Sequence, residues 1–243
     1  MNSIPPVHKV IGYLTGNVYI IEDEEELVLV DTGAPFDYAL LVDRIKSLGR
    51  SPVEIGHILL THFHADHAGA AAAFRRLSHA RVYAHREEAP FLEGKDTVSS
   101  IYKLGVLGRL ASLVPQTSER FTRVPPVDVD VALEDGQIIP VVGGIKAIHT
   151  PGHTPGQTCY FWPEKGILFT GDAIINSYRF FTLPTVGFSC DYSQAADSAC
   201  RLVDSLEEED FWLVCAGHGP MVSEYAKEKL LRFRGRLIRR HKR

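Results

Sequence analysis

The chain has 243 residues, of which 45% are hydrophobic and 23% charged, a balance that excludes a disordered or fibrous protein. Its net charge of −4 disfavours a nucleic-acid-binding protein, and no apolar run approaches the roughly 18 residues that a membrane span needs. The first residues lack a signal-peptide pattern and the four cysteines form no Cys-x-x-Cys pair, so we expect reduced thiols and a cytoplasmic protein.

Short aliphatic runs alternate with helical patterns along the chain. The first half predicts strands at 18–21, 27–30, 58–60 and 81–84, with helices at 37–48 and 65–77. The second half predicts strands at 146–149, 158–161, 167–170 and 212–216, with helices at 194–206 and 223–243. No linker rich in Gly, Ser or Pro separates the halves, so we expect a single domain over 1–243 with two sheets packed together and helices outside.

Two segments stand apart from this alternation. The stretch 94–126 has an apolar helical pattern, which predicts either a helical insertion over a pocket or a surface pair of helices. The terminal helix is basic, with nine Lys or Arg residues against one acid between Lys227 and Arg243. It could bind nucleic acid or an anionic surface, but the overall negative charge favours a solvated helix whose cations suit its C-terminal dipole.

The segment 61–67 reads Thr-His-Phe-His-Ala-Asp-His and lies where a predicted strand ends and a helix begins. Alternate residues of an extended chain point the same way, so His62 and His64 can direct two imidazoles at one point. Asp66 and His67 fall in the loop and the first helical turn, close by but on a different bearing. Imidazoles and carboxylates are ligands for zinc, iron or manganese, and two groups at one corner suggest two ions.

Further candidate ligands follow three other predicted strands. His153, Asp172 and His218 each come just after a strand and beside a glycine, which lets backbone come close to a site. Each residue has an ordinary alternative: Asp66 could be a helix N-cap, Asp172 a turn residue, and either histidine a surface side chain. Taken together with the segment 61–67, the set favours a metal site.

This set resembles the metallo-β-lactamase superfamily, through His-x-His-x-Asp-His at 62–67, the later His, Asp and His, and Val-Asp-Thr-Gly at 30–33. The resemblance implies an α+β fold, a four-layer αββα sandwich. It implies one ion on His62, His64 and His153. It implies a second ion on Asp66, His67 and His218, with Asp172 bridging both. Asp31 would hold a ligand by a hydrogen bond; its alternative is a strand-capping turn residue.

The reaction implied by the resemblance is hydrolysis of a small ester, lactone or thioester. Two ions about 3.5–4 Å apart would hold a bridging hydroxide that attacks the carbonyl carbon. Asp66 and Asp172 are the predicted catalytic residues, Asp66 because it can also move a proton and Asp172 because it bridges. Zinc β-lactamases generally lack the bridging aspartate, so Asp172 favours the lactonase and glyoxalase-like branches. Zinc is the default ion, with iron or manganese chemically acceptable.

Other functions remain open at this point. A related branch holds one iron and oxidises glutathione persulfide with only part of this ligand set. A weak β-lactamase or phosphodiesterase activity is a further option, and a nucleic-acid-binding module would use the basic helix. The expected partner is a small-molecule substrate, with no nucleic acid and no membrane, and a homodimer is left open.

Residues 174–192 are expected at the mouth of the pocket, where aromatic side chains would suit an acyl or aromatic substrate. The candidate substrate residues are Tyr178, Arg179, Phe180 and Phe181. Arg179 could bind a carboxylate or phosphate, or be a surface residue. Tyr178 stands six positions after Asp172, further than the carbonyl-polarising tyrosine of the lactonase branch, and packing of the aromatics in the core is the alternative for this group.

Overall fold

The computed structural model describes residues 7–11, 16–96, 124–178 and 180–241. Most of the predicted insertion at 94–126 and the candidate substrate residue Arg179 lie outside the described residues. The chain divides into two compact units, of which the first contains the described residues up to Ala132 and the second those from Leu133 onward.

The first unit is built on a sheet in which the strands follow the order β1-β2-β3-β4-β5-β6. These strands are β1 (Val7–Ile11), β2 (Asn17–Glu22), β3 (Leu27–Val30), β4 (Ile55–Leu59), β5 (Arg81–His85) and β6 (Val131–Leu133), whose last residue is the first of the second unit. The pairs β1–β2 and β2–β3 are antiparallel, whereas β3–β4 and β4–β5 are parallel. Because Val30 pairs with Leu59, the residues that follow β3 and β4 leave the sheet side by side at one edge.

Helices α1 (Tyr38–Ser47), α2 (Ala65–Ala68), α3 (Ala71–Ser78) and α4 (Ala89–Leu92) belong to the same unit. Helix α1 buries Leu41 and Ile45 and ends at Ser47; Gly49, two residues later, takes the left-handed φ of +77° that is common just after a helix. The single helix predicted at 65–77 is instead two short helices. The break arises because the Ala70 amide donates to the Gly33 carbonyl at 3.2 Å, outside the helical ladder.

The core of the first unit lies between this sheet and its helices. Leu29 and Ile58 from the parallel strands, Ile45 from α1 and Phe74 from α3 are all fully buried. Burial of each such side chain contributes about 1.5–3 kcal/mol to the stability of the fold. This packing therefore stabilises the pair of strands β3 and β4.

The second unit contains a sheet in the order β13-β10-β9-β8-β7 and a separate hairpin of β11 and β12. The strands are β7 (Ile138–Ile139), β8 (Ile145–His149), β9 (Thr158–Trp162), β10 (Ile167–Gly171), β11 (Ile175–Asn176), β12 (Phe181–Thr182) and β13 (Leu213–Ala216). Strand β10 is parallel to β13, and β9 is antiparallel to both β8 and β10. Strands β8, β10 and β13 therefore run in the same direction and end at the same edge of the sheet.

Two helices complete the second unit, α5 (Tyr192–Ser205) and α6 (Ala226–His241). Asp191 caps α5 by accepting a hydrogen bond from the Gln194 amide at 2.9 Å. Helix α6 is the predicted basic helix, and its apolar side, with Leu230, Phe233 and Leu237, is buried. Within the described ranges, no helix is long and apolar enough to cross a bilayer.

Candidate metal centre

The first ligand cluster consists of His62, His64, Asp66 and His67, in the turn that follows β4. The backbone remains extended through His64, which has φ −60° and ψ 146° and is the N-cap of α2. The predicted alternation therefore holds, and it brings His62 Nε2 to 3.0 Å from His64 Nδ1. Asp66 is the second residue of α2, so it is not the helix cap, and its Oδ2 lies 3.7 Å from Nε2 of the buried His67.

Asp31 organises this cluster from the end of the neighbouring strand β3. It is 2% exposed, and its Oδ2 accepts a hydrogen bond from His67 Nδ1 at 2.8 Å. Its Oδ1 accepts from the Thr61 amide at 2.8 Å. The bond to Nδ1 places the ring proton there and leaves the lone pair of His67 on Nε2, the nitrogen that faces Asp66. The structure thus gives Asp31 a hydrogen bond to His67, a residue for which the resemblance implies a ligand role.

Thr61 extends the same network to His62. Its hydroxyl lies 2.8 Å from Asp31 Oδ2 and 2.9 Å from His62 Nδ1. Because the hydroxyl donates to the carboxylate, it can accept the proton of Nδ1, which leaves the lone pair of His62 on Nε2. One buried carboxylate therefore sets the orientation of two histidines.

Glu88 is a residue of this site that the sequence did not reveal. Its side chain is fully buried, and Oε2 accepts a hydrogen bond from the Phe63 amide at 2.8 Å. Phe63 stands between His62 and His64, so this bond fixes the backbone that carries both imidazoles. A glutamate in a turn after β5, with no ligand spacing to the segment 61–67, gave no signal in the sequence.

The second ligand cluster consists of His153, Asp172 and His218, which follow β8, β10 and β13 at one edge of the second sheet. Oδ2 of Asp172 lies 3.5 Å from His153 Nε2 and 3.3 Å from His218 Nε2. One carboxylate oxygen thus lies close enough to two imidazoles, which follow different strands, for a metal ion to contact the oxygen and either imidazole. Asp172 and His153 are 5% and 1% exposed, whereas the His218 side chain is about one-third exposed.

Neighbouring segments contact two of the three members of the second cluster, His218 and His153. The amide of Asn176 donates to the His218 carbonyl at 3.0 Å, and its side chain donates to the Pro220 carbonyl at 2.8 Å. Nδ1 of His153 lies 3.4 Å from Ser189 Oγ, so Nε2 is the nitrogen directed at Asp172. These bonds tie the backbone around His218 to β11 and orient the His153 ring.

Glycines make room for the ligands in both clusters. A Cβ at Gly217 would lie 2.3 Å from Asp172 Oδ1, and a Cβ at Gly16 would lie 2.6 Å from His67 Nε2. Real Cβ atoms do not approach other atoms so closely, so any side chain at either position would displace a ligand. Gly217, the glycine beside His218, thus has the close-approach role that the sequence predicted for the glycines next to the candidate ligands.

The donor chemistry of the two clusters fits divalent metal ions. Together they offer five imidazoles and two carboxylates, the ligand types that zinc, iron and manganese accept. Cys159 lies in β9, where burial raises the pKa of its thiol to about 12. It therefore stays protonated near neutral pH, and thiolate chemistry is not expected there.

The structure separates the candidate substrate residues. Tyr178 is 84% exposed with a left-handed φ of +68°, and Phe180 is 54% exposed, both at the turn between β11 and β12. Phe181 is 2% exposed and belongs to the core of the second unit. Three residues of this group are described, and among them Phe181 packs in the core, which was the alternative to a place at the pocket mouth.

Each unit combines a sheet with helices, and each carries histidines and aspartates just after its parallel strands. This arrangement is typical of an α+β metal-binding protein. The sequence model of the Metallo-beta-lactamase superfamily matches residues 11–218. The chain belongs to this superfamily, which confirms the family and the fold class that the sequence predicted.

Individual relatives agree with this assignment. The chain is 29% identical over 239 residues to the probable metallo-hydrolase YflN of Bacillus subtilis, covering 91% of this chain and 87% of the relative. It is 28% identical over 180 residues to an atrochrysone carboxyl ACP thioesterase of Cryptosporiopsis, covering 70% of this chain and 44% of the relative. Among solved structures, a metallo-beta-lactamase family protein of Thermus thermophilus, TTHA1429, matches with a TM-score of 0.75 and 26% identity, covering 98% of this chain and 81% of that one.

Proposed function

We propose that this protein is a metal-dependent hydrolase that cleaves a small ester, lactone or thioester with two divalent ions. The observation that carries the proposal is the position of Asp172, whose Oδ2 lies within 3.5 Å of Nε2 of both His153 and His218. A carboxylate oxygen between two imidazoles is the arrangement expected of a ligand shared by two ions. Zinc is the ion we expect.

The ligand assignment that we propose uses both clusters. His62, His64 and His153 would hold one ion, and Asp66, His67 and His218 the other. Asp172 would bind both. The hydrogen bonds of Asp31 and Thr61 support this assignment, because they leave the Nε2 lone pairs of His67 and His62 for coordination.

The ions, when bound, supply a nucleophile from water at neutral pH and polarise the substrate carbonyl. The oxygen of water bonds to the carbonyl carbon, the C–O or C–S bond breaks, and the proton of water passes to the leaving oxygen or sulfur. Asp66 is the residue suited to move that proton, since its side chain is 35% exposed whereas its neighbour His67 is buried. The protein thus provides proton transfer and orientation without a serine or cysteine nucleophile.

The substrate class rests on different support from the metal site. The relative named as an acyl carrier protein thioesterase supports a thioester, and the ligand set with a bridging aspartate is shared with lactonases by the resemblance stated above. We place ester, lactone and thioester hydrolysis together because in each reaction a water oxygen attacks a carbonyl carbon and an oxygen or sulfur leaving group departs.

Elemental analysis of the purified protein tests the proposal, followed by hydrolysis assays on lactones, thioesters, phosphodiesters and β-lactams. We expect two divalent ions per chain, loss of hydrolysis with a chelator and recovery with added metal. One iron per chain with oxygen uptake, or full activity of the metal-free protein, would refute it.

The variant Asp172→Ala separates the bridging role from a turn role. We expect metal content to fall from two ions to fewer than one and turnover to fall severely, because both ions lose a ligand. Asp197→Ala, which removes an exposed aspartate from α5 in the same unit, is the matched control and should keep both ions. Wild-type metal content in Asp172→Ala would contradict the bridging assignment.

A further inference from the structure

Helix α6 presents an arginine face that the proposed reaction does not use. Seven Lys or Arg residues and one Glu lie between Ala226 and His241. Arg232, Arg236 and Arg239 are spaced i, i+4 and i+7, so they share one side of the helix. The Arg236 guanidinium also lies 5.9 Å from the ring centroid of the buried Phe233. We call Arg232, Arg236 and Arg239 the arginine face.

A shallow cavity lies on this face. Its volume is about 510 Å³, and it is lined by the three arginines together with Leu231 and Gly235. Gly235 stands among the arginines and contributes no side chain, and a Cβ there would come within 3.4 Å of Arg239 Nη1. A glycine inside a helix weakens the helix, but here the missing side chain leaves space in the cavity that the three arginines line.

The arginine face lacks counter-ions within the part of the chain that the structure describes. No described carboxylate forms an ion pair with Arg232, Arg236 or Arg239, whereas Arg234 on another side of the helix pairs with Asp204. Like charges at i and i+4 repel one another, so these three arginines would be stabilised by a bound anion. Guanidinium groups bind phosphate oxygens through two parallel hydrogen bonds.

Arg236 ties this face to the loop that follows Asp172. Its Nη2 donates to the Phe181 carbonyl at 2.8 Å, and its guanidinium lies 5.5 Å from the Phe180 ring centroid. Phe180 and Phe181 belong to the β11–β12 hairpin, which begins three residues after Asp172. The arginine face is therefore attached to the hairpin that follows Asp172 in the chain.

We propose that the arginine face binds the phosphate of a substrate whose thiol portion carries a phosphate ester, as coenzyme A and carrier-bound phosphopantetheine do. This inference rests on the proposed function and narrows it to phosphate-bearing thioesters. Arg236, held by Phe181, would fix one side of the anion, while Arg232 and Arg239 close around it from the exposed side.

A pair of thioesters with the same acyl group tests the inference. One is the acyl-coenzyme A, and the other is the acyl-N-acetylcysteamine thioester, which has the same reacting bond and no phosphate. In wild type we expect a lower KM for acyl-coenzyme A. In the double variant Arg232→Gln/Arg239→Gln that KM should rise about tenfold, because two charge-assisted contacts are lost, while the KM for the phosphate-free thioester stays unchanged.

A binding measurement supports the kinetics. Calorimetry should show free coenzyme A binding to wild type, with an affinity that falls as salt increases and about tenfold in the double variant. Lys227→Gln is the matched control, since it removes one charge from another side of α6 and should change neither KM nor binding. Equal KM values for both thioesters in wild type, or unchanged binding in the double variant, would overturn the inference.

The same measurements separate the inference from the proposed function and identify the source of the phosphate. Chelator-sensitive hydrolysis of both thioesters with no effect of the double variant would refute the arginine face and leave the hydrolase proposal intact. Coenzyme A binding that depends on the arginines, with no thioester hydrolysed, would refute the thioester assignment. A phosphopantetheinylated acyl carrier protein replaces acyl-coenzyme A in a parallel assay, and the source with the lower KM is the preferred one. Binding of inorganic phosphate as tight as that of coenzyme A would overturn the inference.

Discussion

Replacing Asp31 by asparagine isolates the carboxylate that organises the first ligand cluster. Asparagine has nearly the same shape, and it tolerates the left-handed φ of +61° at this position, so backbone strain is not introduced. Both carboxylate oxygens of Asp31 face donors, since the Thr61 amide and His67 Nδ1 each donate from 2.8 Å. The NH₂ group of the asparagine side chain would therefore face either the Thr61 amide or His67 Nδ1, and that N–H donor would lose its acceptor.

The cost follows from that mismatch. A buried donor left without an acceptor costs about 1–3 kcal/mol. Loss of a group that orients a ligand lowers metal affinity about 10–100-fold, and each factor of ten corresponds to about 1.4 kcal/mol. The two magnitudes agree, so we expect Asp31→Asn to bind metal about 10–100-fold more weakly and to retain its fold in the presence of excess metal.

Competition with a chromogenic chelator measures the affinity, and thermal unfolding with and without metal measures the stability. Asp130→Asn is the matched control, because Asp130 is also an aspartate of the first unit that accepts a backbone amide and a side-chain donor. It should lose stability with no change in metal affinity. Wild-type metal affinity in Asp31→Asn would refute the role we give this carboxylate.

Three further predictions concern Asp130, Cys159 and Gly217. Burial raises the pKa of Asp130, but the hydrogen bonds from Arg75 and the Val82 amide outweigh it and leave the pKa lowered. The stabilisation by this carboxylate is therefore present above the ordinary carboxyl pKa and is lost as the pH falls through the lowered pKa. Asp130→Asn should therefore cost about 1 kcal/mol in urea unfolding at pH 7 and less as the pH is lowered; a loss that does not shrink at acidic pH would contradict this. The Cys159 thiol, with a pKa of about 12, should resist a thiol reagent at pH 8 until the protein unfolds, and its labelling in the folded state, mapped by mass spectrometry, would be the contrary result. Gly217→Ala should lower metal content, because its Cβ would lie 2.3 Å from an Asp172 oxygen; elemental analysis showing two retained ions would exclude this steric effect.

The strand ends that carry the candidate ligands could be predicted because two local sequence patterns mark them. The extended chain after β4 points His62 and His64 the same way, and an aliphatic run followed by glycine and a ligand type marks Asp172. Both signals are local, so they survive without knowledge of tertiary contacts.

Other features depend on contacts that are distant in sequence. The helix predicted at 65–77 breaks because Gly33, more than thirty residues earlier, accepts the Ala70 amide. Glu88 supports the ligand-bearing backbone from a turn with no pattern of its own, and Phe181 is buried by packing in the second unit. The edge strands β1 and β7 also escaped prediction, β7 because two residues are too few to show an alternation.

The position of β13 at the end of the second sheet has a kinetic consequence. This strand pairs along its length only with β10 among the described strands, and an edge strand frays more readily than a central one. His218 follows β13 directly, whereas Asp172 follows the inner strand β10. In the ligand assignment proposed above, the ion that His218 would hold should therefore exchange with the solvent faster than the other ion, so that metal would leave the protein in two phases with separate rates.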